Sequence, residues 1–309
     1  MIVTVTANPS IDRTLHVPTL VRGGLNRAVS ATAEAGGKGI NVSRALATHG
    51  HATAAVLPLS ESSAAVFRAM IGTSTPIEPV TIQGDIRVNI SLVEMDGTVT
   101  KINERGAELD PGEIDALLER ASGLAAHAAW VVGAGSLPPG APSDLYRRLA
   151  NVLPSGVRLA VDADGDALRA CVGERLALIK PNLEELERLV GRRLPTLGDV
   201  VAAGRELVEG GIDTVLVSLG PDGAALIERE QVTHAEARID DVLNTVGAGD
   251  ALLAGFLAGG GGRAGLATAV AWSVAACRSP GTQIRHVTPS DFDVVTVHDV
   301  ALPTRRLAA

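Results

Sequence analysis

Residues 244–256 read Asn-Thr-Val-Gly-Ala-Gly-Asp-Ala-Leu-Leu-Ala-Gly-Phe. A β-branched lead-in gives way to Gly247-Ala248-Gly249-Asp250, then to an apolar run from Ala251 to Ala258 without proline, which has the composition of a helix. Gly247 and Gly249 permit a tight turn whose N–H groups point outward where the helix begins. Those groups lack intrahelical partners and sit at the positive end of the helix dipole, so they form an anion site. Asp250 places a carboxylate beside it. Together they suit phosphoryl transfer to an alcohol, with N–H groups taking charge from the moving phosphoryl and the carboxylate taking the hydroxyl proton. The same residues also fit a plain helix N-terminus in which Asp250 only favours the dipole, so the rest of the chain has to decide.

Length and composition narrow the field. With 309 residues and 46% hydrophobic content, one large α/β domain or two small ones can be built. Aromatic residues are only 2%, so the core must be made of Ala, Val and Leu. A net charge of −8 argues against nucleic acid as the main partner and requires a locally basic pocket for any anionic substrate. Cys171 and Cys277 are too few for a disulfide framework or a cysteine zinc site, and the seven histidines show no metal-ligand spacing. The segment Met1-Ile2-Val3-Thr4-Val5 has no signal-peptide shape, and the apolar run 251–277 is broken by Gly259 to Arg263 below the roughly 18 residues of a membrane span. The expectation is a soluble, cytoplasmic protein with no membrane partner.

Ile2 to Thr6 opens as a strand ending at Asn8-Pro9, and residues 13–35 suggest short strands joined by turns. Residues 86–94 alternate apolar and polar, Met95-Asp96-Gly97-Thr98 supplies a hairpin turn, and Val99 to Asn103 returns, placing Arg87, Asn89, Ser91 and Lys101 on polar faces of a small sheet. From about residue 110 helices and strands alternate, which implies a mostly parallel sheet covered on both faces. Ligands of such sheets bind at the carboxyl ends of the strands. Asn8, Gly133 to Ser136, Asp162, Lys180 to Asn182 and Ser218 to Gly220 all fall there.

Several motifs bear on chemistry. No Gly-x-x-x-x-Gly-Lys-Ser/Thr segment is present, and the Gly-x-Gly-x-x-Gly at Gly260 to Gly265 follows a helix rather than a strand, which suits a helix–helix turn and not a dinucleotide site. Gly36-Gly37-Lys38-Gly39 opens a second helix, and there Lys38 can neutralise an anion or simply face solvent. Asn182 and Glu185 fit a capping box, or alternatively the water shell of Mg²⁺, which uses few protein carboxylates. Arg87 is either a solvated charge or part of a phosphate clamp with Asn89 and Lys101. Val217 to Ala224 is a strand entering a glycine turn, a possible nucleotide wall.

Taken together, Gly36-Gly37-Lys38-Gly39-Ile40-Asn41-Val42 and Asn244 to Asp250 resemble the two signatures of the ribokinase-like, or PfkB, family of carbohydrate kinases. Gly135-Ser136-Leu137-Pro138, Lys180-Pro181-Asn182…Glu185 and Ser218-Leu219-Gly220 fall between them in the family's order, so the resemblance covers nearly the whole chain. Thr6-Ala7-Asn8-Pro9-Ser10-Ile11-Asp12 and Arg87-Val88-Asn89 are most similar to the phosphosugar branch, which holds 1-phosphofructokinases, tagatose-6-phosphate kinases and minor 6-phosphofructokinases. The resemblance implies one domain over residues 1–309. Its fold would be a three-layer α/β/α, doubly wound, mostly parallel sheet, with a small β lid from residues near 12–32 and 85–104.

It further implies ATP and Mg²⁺, Asp250 as general base, and Gly247, Ala248 and Gly249 as the anion hole. Asp12, Gly37, Lys38, Asn41, Arg87 and Ser136 would hold a sugar phosphate. Lys180, Asn182, Ser218, Gly220 and Gly223 would line the nucleotide, Glu185 would reach the metal through water, and the lid sheet would pair into a homodimer. The lid run Arg87 to Leu92 is most similar to that of 1-phosphofructokinases, implying fructose 1-phosphate as acceptor with tagatose 6-phosphate as the alternative. Ala134, where relatives often carry Ser, and residues 58–80, which lack a common Gly/Asp-rich pattern, depart from the family and bear on sugar choice. A sugar-phosphate sensor without turnover is disfavoured by Asp250 and the two glycine loops. A kinase of neutral sugars is disfavoured by Lys38 and Arg87, which would have nothing to neutralise.

Overall fold

β-Branched and small apolar residues build the centre of a ten-stranded sheet. The computed structural model describes residues 1–174, 176–281, 284–298 and 304–308. Strands β1 (Ile2–Thr6), β4 (Thr53–Leu59), β5 (Ile77–Thr81), β8 (Trp130–Ala134), β9 (Arg158–Asp162), β10 (Leu178–Ile179) and β11 (Thr214–Ser218) are all parallel. β12 (Ala224–Glu228), β13 (Val232–Ala237) and β14 (Val295–His298) extend one edge in antiparallel fashion, giving the order β14-β13-β12-β11-β10-β9-β8-β1-β4-β5. The parallel register puts the carboxyl ends of seven strands on one rim. The last two strands, β13 and β14, had no distinct sequence signature, because Val232–Ala237 and Val295–His298 are short and only weakly alternating.

Side-chain alternation sorts the core into two faces. Val3, Val5 and Val131 point into a cluster with Leu117, Tyr146, Leu186 and Val200, contributed by α3 (Pro111–Ala125), α4 (Leu145–Val152), α6 (Leu183–Val190) and α7 (Leu197–Glu209). Short α5 (Gly165–Arg169) adds Ala167 and Leu168 to the same face. Ile2, Trp130 and Val132 point the other way, against α1 (Lys38–Thr48), α8 (Ala248–Ala258) and α9 (Gly262–Cys277). A third cluster sets α2 (Glu61–Ile71) on β4 through Phe67 and Leu57, and α10 (Pro289–Asp293) precedes β14. As the composition required, this core is mostly aliphatic. Gly260 and Gly261 lie in the turn between α8 and α9, as their context predicted. Those helices pack closely: a Cβ on Gly255 would stand 2.9 Å from Ala269 Cα.

A second sheet is built from β2 (Ser10–Val17), β3 (Ser30–Gly36), β6 (Arg87–Glu94) and β7 (Val99–Asn103) in the order β3-β2-β6-β7. Its central pair, β2 and β6, is parallel and in register, with Asp12 opposite Asn89 and Ser10 opposite Arg87. One face is therefore polar, carrying Ser10, Asp12, Arg87 and Asn89. The other carries Ile11, Leu15, Val88, Ile90 and Leu92. This sheet forms the lid of the rim, and the three-layer α/β/α body with its separate small sheet is the ribokinase-like architecture. Among the described residues, no helix is long and apolar enough to cross a membrane.

Candidate active site

At the rim, α8 begins one turn earlier than its apolar run, at Ala248, with Gly247 as its N-cap. Gly247 has φ 81°, a left-handed conformation that a β-carbon would strain. Among the described residues no side chain caps this end; Ala248 N donates to Thr245 O at 3.3 Å, which leaves the later N–H groups of the first turn for a ligand. Asp250 sits in the first turn and is 8% exposed. Burial pushes its carboxyl up to about 6, and the nearby negative charge of Asp162 adds to this. A hydrogen bond from Asn41 and the charges of Lys38 and Lys180 oppose the rise. That bond runs from Asn41 Nδ2 to Asp250 Oδ2 at 2.7 Å.

α1 delivers Lys38 and Asn41 to the rim through the Gly36-Gly37 turn. A β-carbon on Gly36 would stand 2.2 Å from Asp12 Oδ2, and Gly37 has φ 124° with Thr6 Cγ2 just beneath it. The two glycines therefore let the lid and the body approach each other. Lys38 Nζ lies 2.8 Å from Asp162 Oδ1 and 3.6 Å from Glu185 Oε1. Burial works against its charge, yet Asp162 and Glu185 together raise its affinity for the proton. Lys180 Nζ approaches the other oxygen of Asp162 at 3.1 Å. Asp162 is fully buried. Burial disfavours its charge, but Lys180 and Lys38 outweigh this and hold the carboxyl below its usual range. One buried carboxylate thus joins the lysine of the first glycine loop to the lysine that follows β10.

On the lid side, Asp12 Oδ1 accepts hydrogen bonds from Ser10 Oγ at 2.8 Å and Asn89 Nδ2 at 2.9 Å. Among the described residues, the Arg87 side chain has a single bond, Nη1 to Glu104 O at 3.4 Å, and its buried Nε has no partner. Burial lowers its proton affinity, with Asp12 opposing. Thr6 Oγ1, Asn41 Oδ1 and Asn89 Oδ1 are likewise buried without partners among the described residues. Unsatisfied polar atoms on Arg87 and Asn89 beside Asp12, and on Asn41 beside Asp250, are suited to a hydroxyl-rich anion. Lys101 pairs with Ser91, farther from Arg87 than Asn89 is, and its side chain is exposed, so it does not join this cluster.

The Asn182–Glu185 capping box is present in both directions, Asn182 N to Glu185 Oε2 at 2.9 Å and Glu185 N to Asn182 Oδ1 at 2.8 Å. The structural role read from the sequence is therefore real, and it leaves Glu185 Oε1 turned toward Lys38. Ser218 N bonds Pro181 O, and Gly220–Asp222 forms a 3₁₀ turn closed by Gly223. A β-carbon on Gly249 would reach Lys180 Nζ at 3.6 Å, so the anion loop and Lys180 are neighbours. Asp162 thus brings Lys38 and Lys180 together beside the Asn182–Glu185 cap, Asn41 meets Asp250, and Asp12, Asn89 and Arg87 lie together on the lid. Sequence reasoning placed Asp162 and Asn8 at strand ends without a role. The available signal for Asp162 was a carboxylate closing an otherwise apolar strand, which must find cations when buried.

A free helix N-terminus, a buried carboxylate of raised pKa and flanking lysines at the carboxyl rim of a doubly wound sheet are the apparatus of a phosphotransferase acting on an alcohol. Residues 3–286 match the model of the pfkB family carbohydrate kinases. The chain is 36% identical to the 1-phosphofructokinase of Bacillus subtilis over 84% of this chain and 85% of that protein. It is 34% identical to the 1-phosphofructokinase of Rhodobacter capsulatus over 83% and 82%. The crystal structure of phosphofructokinase-2 from Escherichia coli in complex with potassium superposes with a TM-score of 0.85 at 30% identity, covering 94% of this chain and 96% of that one. The chain belongs to the pfkB family of carbohydrate kinases and is an ATP-dependent sugar kinase.

Proposed function

We propose that the chain transfers the γ-phosphoryl of ATP to fructose 1-phosphate, giving fructose 1,6-bisphosphate and ADP. The observation that carries the choice of a phosphorylated acceptor is Arg87, a half-buried guanidinium with an unpartnered Nε beside Asp12 and Asn89. A neutral sugar would leave that cation with only the nearby Asp12 carboxylate and one long bond to Glu104 O to offset its charge. The name shared by the curated relatives supports fructose 1-phosphate in particular.

In this reading Asp250 takes the proton from the acceptor hydroxyl. Gly247, Ala248 and Gly249 receive the transferring phosphoryl on their N–H groups. Asp12, Gly37, Lys38, Asn41, Arg87 and Ser136 hold the sugar phosphate, and Lys180, Asn182, Ser218, Gly220 and Gly223 line the nucleotide. For Mg²⁺, no group of three or more His, Cys, Asp or Glu among the described residues could hold an ion directly. That fits an ion held chiefly by phosphates and water. Glu185 Oε1, spared by the cap, is the oxygen that would reach it through water. When bound with ATP, the ion neutralises phosphate charge.

The deciding measurement is the ratio of kcat/KM for fructose 1-phosphate, tagatose 6-phosphate, fructose 6-phosphate and unphosphorylated fructose with Mg-ATP. A preference for tagatose 6-phosphate or fructose 6-phosphate would replace the acceptor. A preference for fructose would remove the phosphosugar reading altogether. Fructose 6-phosphate is the second reading, because a phosphofructokinase-2 crystallised with it superposes at a TM-score of 0.82.

The apolar lid face, with Ile102 53% exposed beside Ile90, supports pairing of two lids into a homodimer. Sedimentation of wild type and Ile90→Asp would test this. A monomeric wild type rules it out.

A further inference from the structure

Asn8 lies just past the end of β1 and is 5% exposed. An Asn at a strand end usually bonds its own turn. Here every bond is long-range. Nδ2 donates to Arg105 O at 3.0 Å and reaches Ser136 Oγ and Leu137 O at 3.5 Å, spanning 97, 128 and 129 residues of sequence. Its Oδ1 lies over Gly106, where an added β-carbon would stand 2.2 Å away. Gly106 has φ 98°, so backbone conformation and close approach both select glycine there.

The segments tied by Asn8 are the two arms around the lid side of the site. Residues 104–106 leave the lid, and Glu104 is bound to β6 at two adjacent residues: its O accepts from Arg87 Nη1, and its Oε2 accepts from Val88 N at 2.7 Å. Ser136 and Leu137 belong to the loop after β8. The two segments run on together, with Leu109 N bonding Pro139 O at 3.0 Å. Asn8, Arg87 and Pro138 line one small cavity.

We propose that Asn8 is the positioning residue of the acceptor's phosphate clamp: its amide holds the segment that leaves the lid, at Arg105, against the Ser136 loop and so sets the gap between Arg87 and Ser136. This rests on the phosphosugar reading above. The chemistry requires a donor of this length, because its partners are two carbonyls and a hydroxyl. Ser or Ala cannot span them, and Asp would face the carbonyls with a charge.

The test is steady-state kinetics of Asn8→Ala beside wild type, with fructose 1-phosphate varied at saturating ATP, ATP varied at saturating sugar phosphate, and inorganic phosphate as a competitor of the sugar phosphate. The sugar-phosphate KM and the inhibition constant of inorganic phosphate are expected to rise tenfold or more together, while the ATP KM and kcat stay within about threefold, the split expected when only ground-state acceptor binding is lost. Gly106→Ala, which crowds Asn8 Oδ1, is expected to show the same split. If both KM values rise in proportion, or if only the melting temperature changes, Asn8 is structural and the proposal is overturned. Should Asn8→Ala be insoluble, Asn8→Ser carries the same readings. Wild-type turnover of the phosphosugars reports separately on the function, so a failure there is distinct from a failure of Asn8.

Discussion

Asn41 Nδ2 donates to Asp250 Oδ2 at 2.7 Å, joining the first turn of α1 to the first turn of α8 across 209 residues of sequence. The bond fixes one oxygen of the buried carboxylate and favours its charged form, against burial, which disfavours it. Asp250 is thereby poised near neutrality, where a general base is most effective.

Asp250→Asn should therefore lower kcat by about 10²–10⁴-fold with ATP binding largely kept. The same change should stabilise the protein. A carboxyl whose folded pKa is raised contributes stability that is present below its ordinary value of 3.8 and lost as pH rises through about 6. Asn mimics the neutral form, so the gain at pH 7 should be about 1–3 kcal/mol. Chemical denaturation with and without the substitution checks the sign, and a variant keeping more than half of the wild-type kcat would remove Asp250 from the role of base.

The pH profile follows from the same carboxyl. Since the ionised form is the active one, kcat/KM should fall tenfold per pH unit below about 6. Asn41→Ala removes a bond to the charged form, so the acidic limb should move to higher pH. A limb that stays in place, or moves down, contradicts the link between the two residues.

Asp162 serves as shared counter-ion to Lys38 and Lys180 without an exposed atom of its own. Asp162→Asn leaves two ammonium groups facing one another. The expected loss is about 3–5 kcal/mol, the range for breaking a buried ion pair. Lys180, 5% exposed, should account for most of it, because Lys38, at 34%, is partly screened by water. Urea unfolding measures it, and an unchanged midpoint would mean that the lysines find other partners.

Arg87→Ala should remove a charge-assisted contact to the acceptor, worth roughly 1.5–3 kcal/mol in sugar-phosphate KM. The ATP KM should be unaffected. If neither constant moves, the guanidinium is only a surface charge of the lid.

The features legible in the residues alone are local. The Gly-x-Gly-Asp at 247–250 sets the start of a helix because few backbones other than glycine adopt the turn, and the carboxylate three residues on must lie in its first turn. The Asn182–Glu185 box, the hairpin around Gly97 and the strand–helix rhythm after residue 110 are of the same kind, since each depends on neighbours a few positions away. The burial that raises the Asp250 carboxyl, the meeting of Asn41 with it, and the sharing of Asp162 by two lysines were decided by tertiary structure alone. So were the exclusion of Lys101 from the cluster around Arg87 and the long reach of Asn8. The physical reason is that charge and hydrogen-bond energies depend on distance and on exclusion of water, and neither is defined until strands far apart in the chain lie side by side in one sheet.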